Sequence, residues 1–160
     1  MNNLQKIKDP RHLARLLAVQ YLFYVTQAPK FSDVIDHMVP LEPNSILAEL
    51  EETKFNTSLY EALVEGTLKY IKEIDPIIQK LAPSWPIELI NPVDLNILRM
   101  AIYEGFIERR NPEKVVIDEA IELAKEMGSK ENGAFVNGVL GSILDSQELK
   151  EKLANLYEKK

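Results

Sequence analysis

Between Asn91-Pro92 and Asn111-Pro112 the chain reads VDLNILRMAIYEGFIERR, residues 93–110. Ile97, Leu98, Met100, Ala101, Ile102, Tyr103, Phe106 and Ile107 fall on every side of a 3.6-residue helix. A helix that is apolar all round is buried all round, so this segment predicts the centre of the fold. Asp94 and Glu104 lie on it, and a buried carboxylate needs a partner. Arg99 stands nearby as the cation for structural pairing.

On the C-terminal side, Val115-Val116-Ile117 is the only strand-like run, but Val116, Ala120, Leu123 and Met127 continue it at helical spacing and Gly128 reads as a stop. The next helix carries Phe135, Val139 and Ile143, and its Ala134, Gly138 and Gly141 predict close backbone approach. Asp145 with Glu148 reads as a capping box for a last, polar helix to Tyr157. On the N-terminal side, Pro83-Ser84-Trp85-Pro86 is the clearest break, and Asp75-Pro76 predicts a helix restart through Ile77, Ile78 and Leu81. A helix from Thr57 holds Leu59, Leu63, Gly66, Tyr70 and Ile74 in register. Pro10 to Gln27 reads as an amphipathic helix behind an Asp9 cap, and shorter helices are expected from Ser32 to Met38 and from Ser45 to Glu52. No strand pair, fixed-period repeat or low-complexity tract is present. The fold class is all-α, with about six to eight helices.

The 160 residues suit one domain or two small ones sharing a core, and 46% hydrophobic with 28% charged residues is globular composition. The absence of cysteine excludes thiolate catalysis, zinc ribbons, iron–sulfur clusters and disulfides, and suits a reducing cytoplasm. His12 and His37 are the only histidines, too few for a multi-histidine metal site or a histidine relay. Gly128 and Gly133 have P-loop spacing, but Ala134-Phe135 follows where Lys and Ser or Thr are needed. GxGxxG, GxSxG and HExxH are absent. The carboxylates Asp118, Glu119, Glu122 and Glu126 read as a solvated helix face. No catalytic residue, cofactor or metal is expected. Lys6, Lys8 and Arg11 before the apolar stretch from Leu16 to Val25 could pass for a secretion signal, but Asp9-Pro10 is a helix start and Gln20 interrupts the run. No stretch is long enough for a membrane span, so a soluble, cytoplasmic protein is expected.

The net charge of −6 is unevenly placed. Residues 1–30 carry +4 and the remainder −10, a basic arm on an acidic body. Arg11 and Arg15 stand at i, i+4 on a face shared with Lys8, a row that can follow a nucleic-acid backbone. Phe23 is an aromatic on which an unpaired base can stack, or else a core residue.

The segment Arg11-His12-Leu13-Ala14-Arg15, then Ala18-Val19-Gln20, resembles the opening motif of the NusB family of transcription antitermination factors. The resemblance continues through Glu65-Gly66, Trp85 and residues 93–104, VDLNILRMAIYE. It is most specific in residues 115–125, VVIDEAIELAK, and closes with Phe135-Val136-Asn137-Gly138-Val139-Leu140. It implies two packed small helical bundles, about 1–82 and 83–160 here, and a non-enzymatic factor. It also implies binding of boxA RNA together with the ribosomal small-subunit protein NusE, on RNA polymerase with other Nus factors. Carried over by position, the RNA-binding residues are Lys8, Arg11, Arg15, Gln20, Phe23, Glu131, Phe135 and Asn137, and the partner-binding residues are Asp94 and Tyr103. Two features depart from the family: the basic N-terminus is thin, and Ala134 stands where relatives have lysine. The acidic body and the thinned basic arm motivate an alternative, a helical protein-interaction module that has lost RNA binding. Some ribosomal RNA methyltransferases share the domain, but the sequence to Lys160 offers no αβ pattern for a cofactor, so catalysis is not expected.

Overall fold

The computed structural model describes residues 9–28 and 55–157. Lys8 and the helices expected over 32–38 and 45–52 lie outside the described residues. Six α-helices and no strand occur among the described residues: α1 (Pro10–Gln27), α2 (Thr57–Leu81), α3 (Pro92–Ile102), α4 (Glu113–Met127), α5 (Lys130–Leu144) and α6 (Gln147–Ala154). A 3-10 turn (Ile87–Leu89) precedes α3, and a π-turn (Tyr103–Ile107) continues it. The all-α expectation holds, and the strand-like Val115-Val116-Ile117 lies inside α4.

The chain divides into two compact units, Met1–Glu65 and Gly66–Lys160. The sequence reading puts the division at the Pro83–Pro86 break; the units divide earlier, within α2. From Gly66 onward α2 packs on α3 and its π-turn. A Cβ on Gly66 would lie 1.9 Å from the Tyr103 ring, Tyr70 stacks on that ring at 5.9 Å, and Arg99 donates from Nε and Nη2 to both oxygens of Asp75 at 2.8 and 2.7 Å. Asp75 is therefore no helix cap. The helix runs through Pro76, which forfeits one backbone hydrogen bond without ending it.

In the first unit, the Asp9 carboxylate accepts from the Arg11 N–H at 2.9 Å and Pro10 takes the first helical position of α1. Leu13 and Leu17 form a core on which Phe55 and Tyr60 pack, and Tyr60 meets Phe55 and Tyr21 edge-on at 5.8 and 6.5 Å. Asn56 ties the two segments together: its N–H donates to the Pro10 carbonyl, and its side chain accepts from the Leu59 N–H. The single apolar stripe expected for α1 is not what forms. His12, Ala14, Arg15, Ala18, Val19 and Leu22 are buried as well as Leu13 and Leu17, so most of its circumference is covered.

In the second unit, every residue from Asp94 to Ile107 is buried. The polar ones are tied within the fold: Asn96 donates to the Pro92 carbonyl and accepts from Arg99 Nη1, and Glu104 accepts from Asn111 at 2.7 Å. Neither Asp94 nor Glu104 takes Arg99 as a partner, since Asp75 holds it in a two-pronged pair. α3 packs on α4 and α5, and α6 packs on α5 and the π-turn. Close approach of α4 and α5 is made at Gly133, where a Cβ would sit 2.8 Å from Lys125 Cγ. Gly138 and Gly141 have no such neighbour among the described residues and Ala134 is exposed, so the expected small-residue contact is not formed. Ser146, not Asp145, caps α6, its Oγ accepting from the Leu149 N–H; Asp145 ends α5.

Two stability predictions follow from these ties. Gly66→Ala forces the Tyr103 ring out of place and should cost about 3 kcal/mol, the upper end for an overpacked core, measured by urea unfolding. Asp75→Ala strands the buried Arg99 guanidinium; because Asp75 is partly exposed, the loss should sit near the low end of about 3–5 kcal/mol. Unfolding midpoints unchanged by either substitution would refute the corresponding contact.

Candidate nucleic-acid interface

In the first unit the expected basic row is reduced. Arg11 is exposed at the start of α1, but Arg15 is only 4% exposed and carries a polar contact within the fold. Arg15 shares a helix row with the buried Ala18 and Leu22, which takes it away from solvent. Spacing alone cannot reveal this, because a row of cations looks the same whether or not another segment covers it. Phe23 is 39% exposed, as stacking on a ligand requires. Gln20 is half-buried, and its Oε1 is buried without a hydrogen-bond partner among the described residues.

In the second unit the first turn of α5 is a small polar hub. Asn132 Oδ1 accepts from the Ser129 N–H at 2.9 Å and from Ser129 Oγ at 2.7 Å, while its Nδ2 donates to Asp94 Oδ2 at 2.7 Å. Asp94 is thereby held between the start of α3 and the start of α5. Burial pushes its carboxyl above the ordinary range, with the Asn132 hydrogen bond acting more weakly the other way. Glu131 is fully exposed, and hydrogen bonds from a backbone N–H and Ser129 hold its carboxyl below the ordinary value. Phe135 lies one turn on from Glu131, on the same flank. Asn137 lies on the opposite flank, with Ala134 and Gly138 between.

Phe135 and Asp94 line one cleft with Trp85, Leu89, Ile90 and Asn91, about 270 Å³ in volume. Trp85 is 57% and Leu89 67% exposed. Gln79 fixes the segment that carries them: its Nε2 donates to the Trp85 carbonyl and its Oε1 accepts from the Ile87 N–H, each at 2.7 Å. The cleft joins Asp94, expected on the partner side, to Phe135, expected on the RNA side. The sequence reading took Trp85 only as part of a chain break and of a resemblance. Its signal was there, the chain's one tryptophan held between prolines. Tyr103, expected on the partner side, is buried: it stacks on Tyr70 over Gly66 and donates its hydroxyl to Glu108. Burial and Glu108 push its phenol well above the ordinary value. No helix among the described residues is long and apolar enough to cross a membrane.

A raised carboxylate has a definite consequence for stability. Folding favours the protonated form of Asp94, so its contribution is present at acidic pH and is lost as the pH rises through the raised value. Asp94→Asn is neutral throughout and keeps an oxygen for Asn132. It should melt no lower than the parent at neutral pH, and any advantage should vanish in acidic buffer below the ordinary carboxylate range. Thermal melts of both proteins across pH check this; a variant that loses stability equally at every pH would contradict it.

Residues 12–145 match the NusB family. The transcription antitermination protein NusB of Chloroflexus aggregans is 37% identical over 153 residues, covering 94% of this chain and 96% of that protein. The protein of the same name from Halalkalibacterium halodurans is 37% identical over 142 residues, covering 89% and 98%. Among solved structures, T. maritima NusB superposes with a TM-score of 0.65 at 31% identity, covering 91% of this chain and 99% of that one. A chain in the crystal structure of antitermination factors NusB and NusE in complex with dsRNA gives a TM-score of 0.62 at 25% identity, covering 82% and 93%. The helices, their order and these matches agree over most of the sequence, and the chain belongs to the NusB family.

Proposed function

We propose that the chain is a transcription antitermination factor that binds boxA RNA together with the ribosomal protein NusE. It acts in the cytoplasm within the RNA polymerase antitermination complex, alongside other Nus factors, and catalyses no reaction. The observation that carries this reading is the family match over residues 12–145, with likeness to a chain in a solved complex of NusB, NusE and dsRNA. The RNA contacts fall to Lys8, Arg11, Gln20, Phe23, Glu131, Phe135 and Asn137, and Asp94 lines the cleft that also holds Phe135. Arg15 is assigned to the packing of α1 because its side chain is buried.

One observation favours a second reading, a protein-interaction module without RNA binding. With Arg15 buried, the described part of the basic row offers Arg11 alone to a phosphate. Titration of boxA RNA against a scrambled RNA, with and without NusE and at several salt concentrations, separates the two. Antitermination function requires boxA to bind more tightly than the scrambled RNA when NusE is present. Equal, negligible binding of both RNAs by a protein that still takes up NusE would establish the second reading.

The two arginines should separate in the same assay. Arg11→Ala should change folding by no more than about 0.5 kcal/mol. It should reduce the slope of log affinity against log salt by roughly 0.7, one phosphate contact on a single strand. Arg15→Ala should lower the melting temperature and leave that slope unchanged. A slope that shrinks for Arg15→Ala and not for Arg11→Ala would reverse the assignment.

A further inference from the structure

We propose that the cleft where the π-turn after α3 meets the first turn of α4 is a second RNA-contact site, which takes phosphates of the strand outside the boxA element. The proposal rests on the RNA-binding reading above and adds to it a surface that neither the basic row on α1 nor the Phe135 cleft includes. Fifteen residues separate Arg109 from Asp94, and nearly all of them are helical. The cleft therefore lies at the other end of α3 from Asp94, on the order of 20 Å away. Three observations carry the proposal.

The first is charge. Arg109, Arg110 and Lys114 are exposed around a cavity of about 560 Å³, on a chain that carries −10 beyond residue 30. The carboxylates beside them are already committed. Glu104 accepts from Asn111 at 2.7 Å, and Glu113 pairs with Lys150 at 3.2 Å. Glu108, whose side chain is 10% exposed, accepts from the Tyr103 hydroxyl and from Arg110. Arg109 and Lys114 have no ion pair among the described residues. A concave surface with uncommitted cations on an acidic body fits an anion.

The second is placement in advance of binding. The Tyr103 hydroxyl donates to one oxygen of Glu108 and Arg110 Nε donates to the other. The Arg110 guanidinium is thereby held from within the fold, and its two Nη groups have no hydrogen-bond partner among the described residues. Arginine binds phosphate through such a fork, and a fork already held lowers the ordering cost of binding. Arg109 stands at φ 57°, a left-handed conformation that residues other than glycine rarely adopt. Glycine would meet that turn with less strain, so the fold carries an arginine there at a conformational cost.

The third is what the lining lacks. Beside the cations and Glu113 the cleft is lined by Gly105, Asn111 and Pro112, with no aromatic ring. A base has nothing to stack on, so it is the phosphate backbone that enters. The opening turn of α4 adds donors of the same sense, since Pro112 before it has no side-chain group to cap the first N–H groups.

Binding is measured by anisotropy on the full-length protein with NusE, at several salt concentrations. Three labelled RNAs are compared: boxA alone, and boxA extended upstream or downstream by a run of uridines long enough to reach from one end of α3 to the other. The parent should bind one extended RNA more tightly, and with a steeper salt dependence, than boxA alone. Arg109→Gly combined with Lys114→Gln should remove that gain and leave boxA alone unchanged. The slope of log affinity against log salt should shrink by roughly 0.7 per lost contact on a single strand. Because Arg109→Gly relieves the left-handed strain, the double variant should melt no lower than the parent, which separates a lost contact from a lost fold. Lys72→Gln, at an exposed position on α2, controls for net charge and should keep the gain. No gain from either extension, or a gain that the double variant keeps, would overturn the second site and leave the antitermination reading standing. An equal loss from Lys72→Gln would overturn it by assigning the effect to net charge. A double variant that keeps the gain but no longer takes up NusE would overturn it in favour of an acidic protein segment. Failure of boxA to bind at all, with or without NusE, would overturn both.

Discussion

Burying α3 and its π-turn on all sides obliges the fold to find a partner for every polar side chain on them, because an unpaired buried group costs about 1–3 kcal/mol. Besides the Tyr103 hydroxyl, which donates to Glu108, four such side chains are present, and they are tied in different directions. Arg99 reaches back to Asp75 in α2, Asn96 to the Pro92 carbonyl, Asp94 across to Asn132 in α5, and Glu104 to Asn111 in the connection to α4. The apolar side chains supply the driving force, but they are non-directional. The ties that leave the helix, to α2, to α5 and to the connection before α4, are directional and fix where those segments meet it. The tie from Asp94 brings the start of α5, with Phe135, beside the segment that carries Trp85.

The same helix explains why α2 changes allegiance along its length. Its early residues serve the first unit, with Tyr60 packed on Leu13 and Leu17. Six residues later Gly66 receives the Tyr103 ring at a distance no side chain permits, and Tyr70 covers the ring about one turn further on. The glycine is required here by contact with a ring and not by backbone conformation. The glycines expected to mediate close packing on α5 do not, and Gly133, read only against a phosphate-loop pattern, does. A glycine in a sequence marks an absence of bulk. Which partner uses the space is decided by the other helix.

The helical periods, the breaks and the central position of α3 were all legible from residue spacing, because amphipathic and all-round patterns are properties of one segment. What spacing could not show were relations between segments. Asp75-Pro76 has the local signature of a helix start, yet the demand of Arg99, 24 residues away, overrides it. Arg15 reads as surface because it is a cation in a basic row, and it is buried. Ser146 displaced Asp145 as a cap by a single position, a choice made by backbone angles that composition does not encode. Of the site, Phe23, Glu131 and Phe135 were named from the resemblance and are at least partly exposed, while Trp85, Asn91 and Gln79 acquire their place only once the cleft is assembled.

Charge constrains how such a protein can read RNA. Beyond residue 30 the chain carries −10, and the first helix presents less positive charge than its sequence promised. Affinity for nucleic acid usually grows with the number of phosphates neutralised, so a chain of this kind has a small electrostatic term to draw on. Either a partner supplies the missing cations, or base contacts carry a larger share of the affinity than is usual. These are complementary, because phosphate contacts position a strand while base contacts give it identity. A partner that contributes positioning charge would lift that constraint and leave base contacts to give the strand its identity.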